Sequence, residues 1–342
     1  MTAVFITHPA DKLEQYFGVK AIAALKAIAD VRFNPYEREL NTVELIEAAQ
    51  GCDALIAYRA TPGPEQLFSS LPGLFAFVRN AIDIRTVDLD AANVHGVLVT
   101  QTSAGFVPAV AEWVVAAMVN LGRDFCRYAE VYHTGEVPRP VMGRQLHGAT
   151  LGLVGYGQIA RLVSEYALAF GMRTLVTTPE EVDRPGVKQV PLSTLLAESD
   201  FLVCLATANA QTAHMFDAAT FSAMKTGAFF INASRGELVD ESALHKALES
   251  GRLAGCAVDV GMAADQMPTL FLARHPRVIA TPHVGGLTQE TIDHQALVNV
   301  SQIAALQQGH MPAGAVNPAN ATRWRRACAT AQFNPHSSEM LP

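Results

Sequence analysis

Two side chains suited to anion binding and proton transfer stand directly after apolar runs in the second half of the chain. Arg235 follows "FFINAS" and His283 follows "VIATP", and both runs predict buried strands. A guanidinium binds a carboxylate through two parallel hydrogen bonds and polarises a nearby carbonyl. An imidazole, with an ordinary pKa of about 6.5, exchanges protons at neutral pH. These residue types therefore suit anion binding, carbonyl polarisation and proton transfer; the plainer alternatives are a helix-capping arginine and a structural histidine.

A glycine-rich turn precedes these residues in the chain. "LGLVGYGQIARLV" contains Gly155-x-Gly157-x-x-Ala160 after an apolar strand and at the start of a helix. In such turns the first glycine permits the tight bend, the second lets the backbone approach a pyrophosphate, and the small third residue packs helix on strand. The helix N-terminus adds N–H groups and positive dipole. The pattern predicts a dinucleotide site; the alternative is a glycine-rich turn without ligand.

The strand after this turn bears on the choice of cofactor. It ends in Thr177 and Thr178, where an NAD site usually has an acidic residue that binds the ribose. A hydroxyl suits either a ribose or a 2′-phosphate. Arg184, further along, is a candidate for the phosphate, or else a solvated arginine. The cofactor is therefore predicted to be NAD or NADP, with NADP slightly favoured.

The elements that position these residues alternate between short apolar runs and segments of helical period. The early runs are "AVFIT", "CDALIAY", "LFAFVR" and "GVLVT"; from residue 150 there are six more, from "TLGLVGYG" to "RVIATPH". This β-α-β rhythm predicts an α/β fold with two doubly wound parallel sheets. Between the two sets, residues 107–135 predict one long helix whose apolar face is buried or meets a second subunit.

Composition excludes several classes of function. The length of 342 residues predicts about two domains. The net charge of −7, with no basic block, argues against nucleic acid as a partner. The longest apolar stretch contains Glu112 and is too short for a membrane span, and the N-terminus does not resemble a signal peptide. Five scattered cysteines predict reduced thiols in the cytoplasm and no metal site.

Four blocks carry a resemblance to a known family: "VAEW", "GYGQIARLV", "FSAMKTGAFFINASRGELVDESALHKALESGRLAGCAVDV" and "ATPHVGGLTQET". In this order they resemble the D-isomer-specific 2-hydroxyacid dehydrogenases. The resemblance implies a Rossmann cofactor domain (103–286) inserted into a flavodoxin-like substrate domain (1–102 and 287–325), with a loose tail at 326–342. It also implies a homodimer that reversibly reduces a 2-keto acid with a nicotinamide cofactor. Arg235 would bind the carboxylate and His283 would donate the proton.

The resemblance further implies a set of cofactor contacts spread over the turns of the cofactor domain. They are Gly155, Gly157, Gln158, Ile159, Thr178, Thr207, Ala233, Asp259 and Gly285.

The chain departs from the family pattern beside the histidine. The family has a glutamate five residues after Asp259 that orients the histidine, and here that position is Ala264. Asp265 is the expected replacement, and the alternative is a solvated loop carboxylate. Ala264 also favours a rival function, a dinucleotide-sensing binding protein with weak or lost catalysis. Formate-type oxidation is disfavoured because that branch has glutamine at this position.

A second departure lies in the loop "RNAIDIR", where the family is glycine-rich. Ala81 and Ile82 can still present main-chain N–H groups, but Asp83 would repel an anionic substrate unless it faces away. This loop leaves the identity of the acid open. The substrate-binding candidates are Arg59, Arg79, Asn80, Ala81 and Ile82.

Overall fold

The computed structural model describes residues 2–330, and the chain divides into two compact units. Within the described residues, the first unit comprises residues 2–105 and 289–330, and the second is Phe106–Thr288. Each unit is built on one parallel sheet with helices between its strands. The predicted α/β fold, with one domain inserted into another, is confirmed.

The strands are short and mostly buried. They are β1 (Thr2–Ile6), β2 (Ala29–Phe33), β3 (Ala54–Ala57), β4 (Ala76–Arg79), β5 (Leu98–Thr100), β6 (Thr150–Val154), β7 (Arg173–Thr177), β8 (Val187–Gln189), β9 (Phe201–Cys204), β10 (Ala228–Asn232), β11 (Leu253–Val258) and β12 (Val278–Ala280). The helices are α1 (Leu13–Tyr16), α2 (Val19–Ile28), α3 (Thr42–Ala48), α4 (Glu65–Ser70), α5 (Leu89–His95), α6 (Val107–Arg123), α7 (Phe125–His133), α8 (Gln158–Ala169), α9 (Leu192–Glu198), α10 (Ala218–Ala223), α11 (Glu241–Glu249), α12 (Leu270–Ala273), α13 (Gln289–Gln307) and α14 (Thr322–Ala329).

Strand order identifies the two sheets. The first unit has the order β2-β1-β3-β4-β5, which is flavodoxin-like. The second has β12-β11-β10-β9-β6-β7-β8, a Rossmann order extended by one strand. In both sheets the order reverses beside the first strand, and such switch points are where open α/β sheets bind ligands.

The strand prediction missed both polar edge strands. In β2 the exposed Asp30 and Arg32 interrupt the apolar pattern, and β8 exposes Lys188 and Gln189. Edge strands carry charged residues because one side meets solvent, so they lack the continuous apolar run of a central strand.

The predicted helix over 107–135 is instead two helices. Asp124 has φ +58° and ends α6 in the left-handed conformation, after which α7 begins at Phe125. Among the described residues, no helix has the length and apolarity needed to cross a bilayer.

The expectation of a loose tail from residue 326 is wrong for residues 326–329, which belong to α14. Trp324 anchors this helix, because its buried indole donates a hydrogen bond to the carbonyl of Leu306 at 3.1 Å. Arg323 donates to the carbonyls of Leu71 and Leu74 at 2.7 and 3.0 Å. Most of the expected tail, residues 331–342, lies outside the described residues.

Candidate active site

Three adjacent strands of the second unit end next to the residues that sequence singled out for chemistry. Strands β10, β11 and β12 are neighbours and run parallel. Arg235 lies three residues after β10, Asp259 directly after β11, and His283 three residues after β12. Because parallel strands place their carboxyl ends at one edge, all three residues lie on the ligand-binding edge of a single sheet.

Asn232, the last residue of β10, shapes the loop that carries Arg235. Its side-chain NH₂ donates to the carbonyl of Arg235 at 2.9 Å, and its Oδ1 accepts from the N–H of Ser234 at 3.1 Å. The Ser234 hydroxyl donates to the carbonyl of Ala206 and ties the loop to the chain after β9. Asn232 is buried, whereas Arg235 is half-buried. The asparagine thus presents a partly accessible guanidinium at the sheet edge.

The carboxylate of Asp259 holds the turn that carries His283. Its Oδ1 accepts from the Thr281 hydroxyl at 2.6 Å and from the N–H of Val284 at 2.8 Å. Its Oδ2 accepts from the N–H of Gly285 at 2.7 Å. Asp259 and Gly285 were expected as cofactor contacts, and the structure shows that they bond to each other within this turn.

His283 is positioned from its other side by the loop 261–267. The Nδ1 atom of His283 lies 2.9 Å from the main-chain carbonyl oxygen of Asp265. This contact with His283 is thus made by the main-chain carbonyl of Asp265, whereas the sequence led us to expect that the Asp265 carboxylate would make it. Ala264, at the family's glutamate position, is exposed.

The glycine turn has the shape that a pyrophosphate needs. Gly155 has φ +90°, and a Cβ on it would lie 2.7 Å from the carbonyl oxygen of Leu205. At Gly157, no described atom other than those of Gly157 and its two chain neighbours lies within 4 Å of where a Cβ would stand, so the space above the turn is open. Helix α8 begins at Gln158, and Ala160 is fully buried against the sheet. These features fit a dinucleotide whose phosphates meet the N–H groups of α8.

The remaining cofactor candidates of the second unit lie in or near turns at the same edge. Thr178 follows β7, Thr207 follows β9 and Ala233 follows β10, while Ile159 lies in the first turn of α8. The carbonyl of Thr207 accepts the Thr212 hydroxyl at 2.7 Å, which orders the loop after β9.

The end of β7 carries negative charge. The Thr178 hydroxyl donates to Oε2 of Glu180 at 2.6 Å, and this bond lowers the pKa of the Glu180 carboxyl. Arg184, the sequence candidate for a 2′-phosphate, pairs instead with Glu165 at 2.9 Å. An ionised carboxylate thus lies just beyond the end of β7, hydrogen-bonded to the threonine that was expected to contact the cofactor.

In the first unit, Arg79 does not serve as a surface contact for substrate. It is fully buried, and it donates to the carbonyls of Tyr58 and Thr61, both at 2.7 Å, and of Asp83 at 3.1 Å. A further donor meets the Thr86 hydroxyl. Burial lowers the pKa of Arg79 to about 10. The expectation that it binds substrate is therefore wrong; Arg79 joins the loops after β3 and β4.

Asn80 is likewise committed to the interior. Its NH₂ donates to Nε2 of His8 at 3.1 Å and to the carbonyl of Tyr16 at 3.0 Å. His8 is buried against the rings of Phe17 and Tyr58, and burial lowers its pKa to about 3. The Asn80 side chain thus stabilises the domain, which corrects its assignment to substrate.

The other substrate candidates remain at accessible positions. Ala81 and Ile82 are half-buried, and within the described residues no acceptor meets their N–H groups. The carboxylate of Asp83 forms an ion pair with Arg85 at 2.8 Å, which offsets its negative charge. Arg59 is half-buried, with its guanidinium 5.1 Å from the centre of the Tyr16 ring.

Comparison with known proteins establishes the family. Residues 115–285 match the model of the NAD-binding domain of D-isomer-specific 2-hydroxyacid dehydrogenases. The chain is 30% identical to a glyoxylate reductase of Korarchaeum cryptofilum over 282 residues, which cover 80% of this chain and 85% of that protein. This chain belongs to the D-isomer-specific 2-hydroxyacid dehydrogenase family.

Further relatives agree with this assignment. The dehydrogenase is 32% identical to glyoxylate/hydroxypyruvate reductase B of Klebsiella pneumoniae over 264 residues, 74% of this chain and 81% of that protein. It is also similar to the solved D-lactate dehydrogenase of Aquifex aeolicus in complex with NAD and lactic acid. That similarity has a TM-score of 0.74 at 26% identity and covers 90% of this chain and 96% of the other.

Several expectations are thereby confirmed. The protein is a nicotinamide-dependent oxidoreductase acting on the CH–OH group of 2-hydroxy acids, as the four sequence blocks implied. Two residues that organise this dehydrogenase were missed from sequence, namely Asn232 and His8. The available signal was weak: each is a polar residue at or just beyond the end of an apolar run.

Proposed function

We propose that this dehydrogenase reduces a small 2-keto acid to the D-2-hydroxy acid, with Arg235 and His283 as its catalytic residues. The observation that carries the proposal is that Arg235, Asp259 and His283 follow three neighbouring strands at the ligand-binding edge of one sheet. Bound nicotinamide dinucleotide supplies the hydride.

Each residue has a distinct task in this proposal. Arg235 binds the substrate carboxylate and polarises the carbonyl as negative charge develops on its oxygen. His283 donates a proton to that oxygen in reduction and accepts it in oxidation. Asp259 keeps the imidazole in place through the 281–285 turn. In the first unit, Ala81, Ile82 and Arg59 remain candidate contacts for substrate.

A screen of keto acids tests the proposal. Glyoxylate, hydroxypyruvate, pyruvate and longer keto acids are each incubated with the enzyme and NADH. Oxidation of NADH is followed by the loss of its nicotinamide absorbance. We expect turnover of a small acid, and a loss of at least about 100-fold in kcat for His283→Asn, because general acid catalysis contributes roughly 10²–10⁴-fold. Arg235→Lys should raise KM and lower kcat together. Cofactor binding without turnover of any acid would favour the rival dinucleotide sensor.

We also propose NAD as the preferred cofactor, which reverses the slight preference for NADP drawn from sequence. Glu180, hydrogen-bonded to Thr178, would repel a 2′-phosphate, and Arg184 is paired with Glu165. The ratio of KM for NADPH to KM for NADH should exceed tenfold. It should fall in Glu180→Gln, whereas Glu181→Gln, next to it in the chain, should leave it unchanged. A wild-type preference for NADPH would contradict this assignment.

A homodimer is proposed on the exposed apolar surface of the second unit. Helices α6 and α8 border a groove of about 450 Å³ lined by the apolar side chains of Val115, Ala116, Tyr166, Ala169 and Phe170 together with Glu112. Ala116→Glu should yield monomers in sedimentation experiments, whereas Val94→Glu, an apolar-to-charged change in the first unit, should not.

The five free cysteines support a reducing, cytoplasmic location.

A further inference from the structure

The hydrogen bond between His283 and residue 265 determines which imidazole nitrogen faces the reaction. A carbonyl oxygen only accepts hydrogen bonds, so the Nδ1 atom of His283, 2.9 Å from the carbonyl of Asp265, must carry a hydrogen. Nε2 is therefore the nitrogen that gains and loses the exchangeable proton. Because a carbonyl is uncharged, it fixes the tautomer without placing a full negative charge beside the ring.

An unusual backbone conformation aims this carbonyl at the histidine. Asp265 has φ +55° and ψ +28°, and Gln266 has φ +58°, so two consecutive non-glycine residues are left-handed. His283 itself has φ +55°. Such conformations are costly for residues with a Cβ, and asparagine and aspartate tolerate them best. The loop holds a strained shape that presents a main-chain group.

Hydrogen bonds within the loop keep it in this shape. The N–H of Gly261 donates to the carbonyl of Gln266 at 2.8 Å, and the N–H of Ala263 donates to the carbonyl of Met267 at 2.9 Å. The loop also packs on the turn that carries Arg235, because a Cβ on Gly236 would lie 2.3 Å from the carbonyl carbon of Gly261. The support of His283 is thus in direct contact with the loop of the other catalytic residue.

We propose that the main-chain carbonyl of residue 265 is the group that orients His283, in place of a side-chain carboxylate. This inference rests on the proposed function for the catalytic role of His283. Ala264 offers no side-chain acceptor, and the left-handed backbone at residue 265 supplies one from the chain itself. Asp265 is accordingly a positioning residue, and the support that its main-chain carbonyl gives to His283 survives any substitution that keeps the backbone shape.

Substitutions that separate backbone from carboxylate test the proposal. Asp265→Asn removes the charge and retains left-handed preference, and Asp265→Gly retains the carbonyl at a residue that adopts this conformation freely. Both should lower kcat by no more than about threefold. Asp265→Pro fixes φ at about −65° and must displace the carbonyl. It should lower kcat at least tenfold while leaving the KM for NADH unchanged.

A spectroscopic readout makes the test independent of turnover. In ¹⁵N-histidine-labelled protein, with His283→Asn used to assign the signal, His283 should show a protonated Nδ1 in the wild type and in Asp265→Asn and Asp265→Gly. Asp265→Pro should lose that single-tautomer signature, while its circular dichroism shows that it is folded. If Asp265→Asn loses the signature, or loses as much kcat as Asp265→Pro, the carboxylate is the orienting group and the proposal is wrong. If no keto acid is reduced but the tautomer pattern holds, only the proposed function fails.

Discussion

The N–H of Gly285 donates to Oδ2 of Asp259 at 2.7 Å, and a Cβ on Gly285 would lie 2.8 Å from that same oxygen. The two residues are 26 positions apart, yet they meet because they follow the adjacent strands β11 and β12. Their contact closes the turn that carries His283, so the position of the imidazole depends on the buried carboxylate of Asp259, which takes no part in the proposed proton transfer.

Asp259→Asn should therefore impair both stability and catalysis. An amide places an NH₂ group against at least one of the N–H or O–H donors that now meet the carboxylate. A buried donor without an acceptor costs about 1–3 kcal/mol. We expect a similar loss in the free energy of unfolding, and a loss of at least tenfold in kcat. Asp217→Asn is the matched control, because Asp217 caps α10 and asparagine caps helices equally well.

Alanine substitutions at the two glycines of the turn should affect different properties, stability at Gly155 and cofactor binding at Gly157. Gly155 has φ +90°, which alanine rarely adopts, and the Cβ of Gly155→Ala would also clash with the main chain after β9. The substitution should therefore lower the free energy of unfolding by about 1–3 kcal/mol. Gly157→Ala meets open space and has φ −76°, which alanine adopts, so its stability should match the wild type. It should instead raise the KM for NADH, because the methyl fills space that the pyrophosphate needs. Equal effects of both variants on unfolding would contradict these roles.

Arg79→Lys tests the assignment of Arg79 to the interior. Lysine retains the charge but loses the planar fork that reaches carbonyls on two loops. Unfolding in urea should show a loss of about 3 kcal/mol, since several buried acceptors lose their donors. Arg59→Lys, at a half-buried position, should have a much smaller effect on stability. A large rise in substrate KM for Arg79→Lys at unchanged stability would restore Arg79 to the substrate site.

His8 should make the stability of the first unit sensitive to acid. Its folded pKa of about 3 lies below the ordinary value of 6.5, so the unfolded chain takes up the proton first as pH falls. The stability associated with neutral His8 is complete above pH 6.5 and declines below it by at most about 1.4 kcal/mol per pH unit. His8→Gln should flatten the pH dependence of unfolding between pH 6.5 and pH 4. Identical slopes for the two proteins would show that His8 does not contribute.

Sequence alone determined the two parallel sheets, the dinucleotide turn and the placement of Arg235 and His283 at strand ends. These succeed because a glycine pattern encodes its own turn, and because parallel strands bring their carboxyl ends to one edge whatever else the chain does. Tertiary structure alone decided that Arg79 and Asn80 turn inward, since burial depends on which loops close over a strand end. It also decided that the backbone of Asp265 supports His283. Every residue has a carbonyl, so its use depends on backbone conformation and contact rather than on residue type.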